Sequence, residues 1–223
     1  MELEAMIYLA EKRGCTQTQV HRSFHSFNFG TYQLAHREPF GALRVFNDEA
    51  LMPGASITYS LTDDYLLLLL PIAGGINFEM GAGHQFVEAG ETAWINGRRG
   101  SVLTITNPYE TGSVDFICAW ITLPEWNDQP PVTLPFDLTT INTLHTLFAS
   151  PQIKAHIGKF SGRTDHTFKT SEGSTRFFTF VLEGAFEFKE RLLLQRDGLA
   201  LNAVTEADFE SLSDGAIVLI LEV

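Results

Sequence analysis

Seven histidines and two cysteines are the side chains best suited to nucleophilic or metal chemistry. The densest group is His21-Arg22-Ser23-Phe24-His25-Ser26. A serine nucleophile needs a histidine base, an acid that orients the imidazole, and an exposed hydroxyl. No acid stands near this group in the sequence. Aromatics at Phe24, Phe27, Phe29 and Tyr32 make it a structural aromatic segment instead. His84 follows Gly81-Ala82-Gly83 in a glycine-rich hairpin loop and is expected in solvent. His145, His156 and His166 lie in the second half. His156 and His166 flank a strand-turn-strand and could meet across it to hold a metal; a surface or core position is the commoner fate of each. Cys118 lies in the apolar run Phe116-Ile117-Cys118-Ala119-Trp120 and reads as a small buried hydrophobe. Cys15 and Cys118 form no C-x-x-C pair and no disulfide framework, which fits a reducing compartment.

The elements that must position these groups read as strands. Leu66 to Leu70 is an unbroken leucine run with no polar face, so a strand from Tyr65 to Ile72 should be covered on both sides. Leucine also favours helix, but Asp63-Asp64 before the run, Pro71 inside it and Gly74-Gly75 after it argue against one. The run is far too short to cross a bilayer, which takes about 20 apolar residues. Further strands are expected at Phe40–Phe46, Gln85–Ile95 with a turn at Ala89-Gly90-Glu91, Val102–Thr106 and Val114–Leu123. Residues 2–13 read equally as a short helix or as a strand at Met6–Leu9. Pro124, Pro130, Pro131 and Pro135 break the chain into a connection over 124–150, with Trp126 and Phe136 packing it down and a short helix at Leu138–Ala149.

The second half repeats the first. Gly74 matches Gly184, Ile76 matches Phe186, and Phe78 matches Phe188. Gly90-Glu91 has its counterpart in Arg196-Asp197. Each half closes on an apolar strand, Val114–Ile121 and Ala216–Val223. A strand–turn–strand unit used twice implies two β-barrels or sandwiches. The formal charge of −12 argues against nucleic acid and anionic membranes as partners. The N-terminus, MELEAMIYLAEKRG, lacks the pattern of a signal peptide, and the expected location is the cytoplasm.

Met6-Ile7-Tyr8-Leu9, Glu11-Lys12-Arg13-Gly14, His25-Ser26-Phe27-Asn28-Phe29 with Tyr32, and above all Phe40-Gly41-Ala42-Leu43-Arg44-Val45-Phe46-Asn47-Asp48 resemble the pirin family of the cupin superfamily. Val87 to Glu91, Asn107-Pro108, Val181-Leu182-Glu183-Gly184 and Asp197-Gly198-Leu199-Ala200-Leu201 continue the resemblance. It implies an all-β bicupin, two cupin-type jelly-roll barrels facing each other in one chain. The first barrel would take residues 1–123, the connection 124–150 and the second barrel 151–223. The resemblance also favours a strand at Met6–Leu9.

Pirins usually hold one transition metal in the N-terminal barrel with three histidines and a glutamate, from an H-P-H and an H-x-E segment. The resemblance puts the H-P-H positions on Ser60-Leu61-Thr62 and the H-x-E positions on Leu103-Thr104-Ile105. Serine and threonine hydroxyls with aliphatic chains do not make a transition-metal site. The resemblance therefore implies a barrel without its metal or any other cofactor. Ser60 and Thr62 would offer hydrogen bonds, and Leu103 and Ile105 apolar contact, to a small ligand; the plainer expectation is that they fill the barrel. The expected function is a non-catalytic binding or regulatory module for a small ligand or a protein partner, with a monomer favoured. The alternative is a quercetinase-like metal-dependent dioxygenase using a relocated site.

Overall fold

The computed structural model describes residues 4–81, 83–123, 128–171 and 176–223. Trp126 lies outside them. In chain order the first strands are β1 (Glu4–Tyr8), β2 (Gly14–Gln17), β3 (His21–His25), β4 (Leu43–Leu51), β5 (Ser56–Ser60), β6 (Tyr65–Ala73), β7 (Gly75–Met80), β8 (Gly83–Glu88), β9 (Glu91–Gly97), β10 (Val102–Thr106) and β11 (Val114–Thr122). They are followed by β12 (Val132–Pro135), β13 (Thr143–Ala149), β14 (Lys154–Phe160), β15 (Thr164–Lys169), β16 (Arg176–Glu183), β17 (Phe186–Phe188), β18 (Arg191–Leu193), β19 (Gly198–Asn202), β20 (Glu206–Ser211) and β21 (Ala216–Glu222). Among the described residues the one helical turn is a 3-10 turn at Ala10–Lys12.

The chain forms two compact units, Gly14–Phe136 and Met1–Arg13 with Asp137–Val223. In the first, a seven-stranded sheet in the order β12-β9-β6-β11-β4-β3-β2 packs on a four-stranded sheet in the order β5-β10-β7-β8. In the second, the orders are β1-β19-β16-β21-β14-β13 and β15-β20-β17-β18. The two units correspond in all strands but β2, which has no counterpart in the second: β6 and β16 flank the closing strands β11 and β21, and β10 and β20 sit between equivalent neighbours. The internal repeat in the sequence is thus two copies of one jelly-roll barrel, the bicupin fold.

The leucine run forms β6, the second-most central strand of its sheet. Leu67 and Leu69 enter the barrel core with Val45, Leu51, Phe116 and Cys118, against Ile76, Phe78, Leu103 and Ile105 from the opposite sheet. Leu66, Leu68 and Leu70, on the other face, are buried as well. With no polar side to offer water, the run is stable only where both faces are covered. The matched glycines are required by backbone geometry. Gly74 and Gly184 have φ of 75° and 77°, a region where a Cβ is strained.

Three expectations are corrected. The first strand does not belong to the first barrel. Strand β1 pairs with β19 from Glu4↔Asn202 to Tyr8↔Gly198, and Ala10 N donates to Asp197 Oδ1 at 2.6 Å. The resemblance favoured a strand at Met6–Leu9, but its partner lies nearly 200 residues away in sequence, so the boundary at 1–123 was not legible. The segment Leu138–Ala149 is not a helix: its later part is strand β13, which pairs with β14 and satisfies that strand's exposed backbone groups. The connection at 124–150 is not a separate segment either. Strand β12 extends the first unit's sheet by pairing with β9, and the boundary falls between Phe136 and Asp137.

Candidate active site in the first barrel

Strands β5 and β10 pair with Ser60 opposite Val102, Tyr59 opposite Leu103 and Ile57 opposite Ile105. Side chains alternate faces along a strand. Leu103 and Ile105 are fully buried in the barrel core. Their cross-strand neighbours Tyr59 and Ile57 pack against the same core. Ser60 and Thr62 are exposed, with Leu61 buried between them. The four residues singled out from sequence therefore do not converge: Leu103 and Ile105 point in, and Ser60 and Thr62 point out. Thr62 Oγ1 lies 3.2 Å from Tyr65 Oη at the strand end. The inward set on these two strands is Ile57, Tyr59, Leu103 and Ile105. A shift of one residue moves every side chain to the opposite face, and that shift separates the two readings.

Tyr59 leads to the polar interior. Its hydroxyl donates to Glu49 Oε1 at 2.7 Å, and His21 Nε2 lies 2.7 Å from Glu49 Oε2. A carboxylate only accepts, so the imidazole donates. The Glu49 side chain is 0 % exposed, that of His21 is 13 % exposed, and Tyr59 is partly buried. Burial first, and then the Glu49 charge and the nearby Cys118, hold the Tyr59 phenol far above its ordinary pKa, so it stays protonated. Burial likewise pushes the Cys118 thiol up, with Glu49 adding to the effect; the Trp120 indole N–H, which donates to Cys118 Sγ at 3.3 Å, opposes it.

A second histidine lies on the same sheet face. His25 Nδ1 is 2.9 Å from Asn47 Oδ1 and 3.3 Å from Ser23 Oγ, and its Nε2 is 2.9 Å from Thr16 Oγ1. With the amide oxygen accepting, Nδ1 carries the proton and Nε2 accepts from the Thr16 hydroxyl. Asn47 Nδ2 is buried and finds no hydrogen-bond partner among the described residues. Above these groups the rings of Phe29, Tyr59 and Trp120 meet edge-on with centroids 5.6–5.9 Å apart.

The acid absent from the sequence neighbourhood of His21 and Ser23 is thus Glu49, delivered by β4. Strand pairing sets Ser23 opposite Glu49 and His25 opposite Asn47. The signal was parity: Val45 and Leu51 face the core, so Asn47 and Glu49 between them must face it too. Ser23 is buried and contacts His25 rather than His21, so the set is not a serine-nucleophile triad.

The remaining histidines do not assemble. His156 and His166 lie in different sheets of the second unit. His156 Nε2 is 3.0 Å from Glu222 Oε1, and His166 stacks on Phe209 with its Nε2 3.0 Å from Thr164 Oγ1. Burial lowers the pKa of His166, partly offset by Asp165. His145 Nε2 is 3.2 Å from Thr140 O, and exposed His84 pairs with Glu79 across a hairpin. Among the described residues no three of His, Cys, Asp and Glu are grouped to hold a metal ion. An open concavity of about 970 Å³ lies in the second unit, with Asp165, Glu187, Asp208 and Glu210 beside Lys189 and Arg191.

The fold is that of a bicupin, two jelly-roll barrels in one chain. Among solved structures the chain is similar to the bacterial pirin YhhW of Escherichia coli in complex with nickel(II), with TM-score 0.86, 18 % identity, and coverage of 99 % of each chain. It is similar to YhaK of E. coli, with TM-score 0.74, 17 % identity, and coverage of 92 % of this chain and 94 % of that one. It is also similar to a quercetin 2,3-dioxygenase of Acinetobacter baumannii, with TM-score 0.75, 12 % identity, and coverage of 98 % and 78 %. No family model and no curated protein sequence matches the chain.

The nickel in that relative raises the question of fit. A transition metal needs imidazole, thiolate or carboxylate donors. On β5 and β10, where the resemblance puts the ligands, the inward side chains are three aliphatics and a phenol already bonded to Glu49. These residues do not fit the metal.

Proposed function

We propose that this protein is a metal-independent bicupin that binds a small ligand inside its first barrel, as a binding or regulatory module. The observation that supports it is the inward set of β5 and β10: Ile57, Tyr59, Leu103 and Ile105 offer no imidazole or carboxylate, while the polar groups of the interior sit on β3 and β4. The free thiols Cys15 and Cys118 suit a reducing cytoplasm, and the net charge of −12 disfavours nucleic acid as a partner.

Thermal unfolding with and without nickel, iron, manganese and copper salts tests the reading. A ligand that binds only the native state raises Tm by mass action. The expected outcome is no metal-dependent rise. A saturable rise with one of these ions would overturn the reading. It would favour metal-dependent chemistry of the kind named for the Acinetobacter dioxygenase.

A further inference from the structure

Strands β8 and β18 hold the same place, at the edge of the four-stranded sheet in each barrel. An edge strand carries a row of unpaired N–H and C=O groups, and proteins blunt such rows with short strands, lysines or proline. Strand β18 is blunted by its length, three residues, and carries Arg191. Strand β8 has six residues, Gly83-His84-Gln85-Phe86-Val87-Glu88, with no lysine, arginine or proline. Its pairing with β7 shows which backbone groups are open. Partners run from Gly75↔Glu88 to Met80↔Gly83, and just beyond them Ala89 N donates to Gly74 O. Hydrogen-bonded and non-hydrogen-bonded pairs alternate along an antiparallel ladder. The bond between 74 and 89 therefore commits Val87, Gln85 and Gly83 to β7 and turns the N–H and C=O of His84, Phe86 and Glu88 outward. Glu88 N bears this out, since it donates to Glu91 Oε2 at 3.2 Å. No strand pairs with this outer edge among the described residues. The side chains of the same three residues stand on the solvent face, and Phe86 is 44 % exposed. Its ring lies against Gly75, where a Cβ would collide with it, so the ring is already positioned.

We propose that the outer edge of β8 pairs antiparallel with β8 of a second copy of this chain, joining two four-stranded sheets across a two-fold axis at Phe86. The strand's own sequence selects this occupant. Pairing centred on Phe86 sets Phe86 opposite Phe86 of the second copy, and His84 opposite Glu88 of the second copy. Aromatic pairs and an imidazole facing a carboxylate both favour directly opposed positions. Each Phe86 N–H donates to the other Phe86 carbonyl, and each His84 N–H to the other Glu88 carbonyl, while Glu88 N keeps Glu91. The contact is isologous, so it closes at two copies and does not propagate. Its area belongs to the small, transient class of interfaces. The net charge of −12 on each copy opposes approach at low salt, so added salt strengthens the pairing. The monomer expected from the sequence is the dilute state of this dimer, and the inference is independent of what the first barrel holds.

The experiment is sedimentation equilibrium of the full chain between about 1 μM and about 1 mM, the range of weak association. The wild type is expected to pass from one chain to two across this range. Two variants localise the contact. Phe86→Lys places a cation on each side of the axis, the device by which natural edges are blunted, and should raise the dissociation constant at least about 10-fold. His84→Pro removes an N–H that points away from β7, so the native ladder stays whole while two of the four backbone bonds between copies are lost; the constant should again rise about 10-fold or more. Circular dichroism checks that each variant is folded, and should one unfold, the other decides. Hydrogen exchange gives the second readout: the amides of His84 and Phe86 should slow as concentration rises. A chain that stays single up to about 1 mM, a dimer unmoved by a folded variant, or a dimer that leaves these amides unprotected overturns the inference.

Discussion

At the scale of single residues the interior of the first barrel is a matter of hydrogen-bond pairing. Glu49 is tolerable in the core because Tyr59 and His21 each donate to one of its oxygens. Tyr59→Phe keeps the ring and removes one donor, so it should destabilise by about 1–3 kcal/mol, measured by chemical denaturation. Glu222 in the second unit makes a separate prediction. Burial works to raise its pKa, but bonds from His156, from Ser171 N at 2.7 Å and from Ser171 Oγ at 2.9 Å outweigh it, and the carboxyl ends below its ordinary value. A carboxyl depressed in the native state stabilises the fold above its unfolded pKa, about 4.3, and that stability is lost as pH falls through the native value. Thermal melts should therefore weaken below about pH 4, and Glu222→Gln should flatten that acid limb while lowering Tm near neutrality. A variant as acid-sensitive as wild type would contradict this.

At the scale of elements the register of β5 on β10 decides what the barrel can hold. Four substitutions at the inward positions, Ile57→His, Tyr59→His, Leu103→His and Ile105→Glu, should create nickel affinity measurable by calorimetry. The outward set, with Ser60→His and Thr62→His in place of the first two, should bind far more weakly. Equal affinities would contradict the register. Gly184→Ala probes the turn: φ is 77° and the new Cβ would stand 2.8 Å from Ala216 Cβ, so a loss of roughly 1–3 kcal/mol is expected. Much at this scale was legible in the sequence. Strands β6, β10 and β11, the paired glycines and the duplication all follow from apolar runs and turn residues. The face of β5 did not follow from the ungapped match to a metal motif, although Ile57, Tyr59 and Leu61 carry the inward alternation plainly. Glu49 and Asn47 were hidden because the strand that brings them to His21 and His25 is more than 20 residues downstream. Strand β13 was missed because Leu138–Ala149 has helical spacing of apolar residues, and only the open edge of β14 overrides it.

At the scale of the whole molecule, one barrel architecture built twice has come to hold different interiors. Where the first unit has Tyr59 beside Leu103 and Ile57 beside Ile105, the second has Phe168 beside Ala207 and His166 beside Phe209. The second unit is not contiguous in sequence, because β1 completes its sheet. Deleting residues 1–13 should therefore expose the β19 edge, and hydrogen exchange at Gly198–Asn202 should accelerate while β6 stays protected. We propose that this bicupin works without a metal in its first barrel. The most direct test is elemental analysis of the protein after incubation with nickel and iron and removal of excess. The account predicts far less than one ion per chain. A single ion per chain that survives dialysis would contradict it.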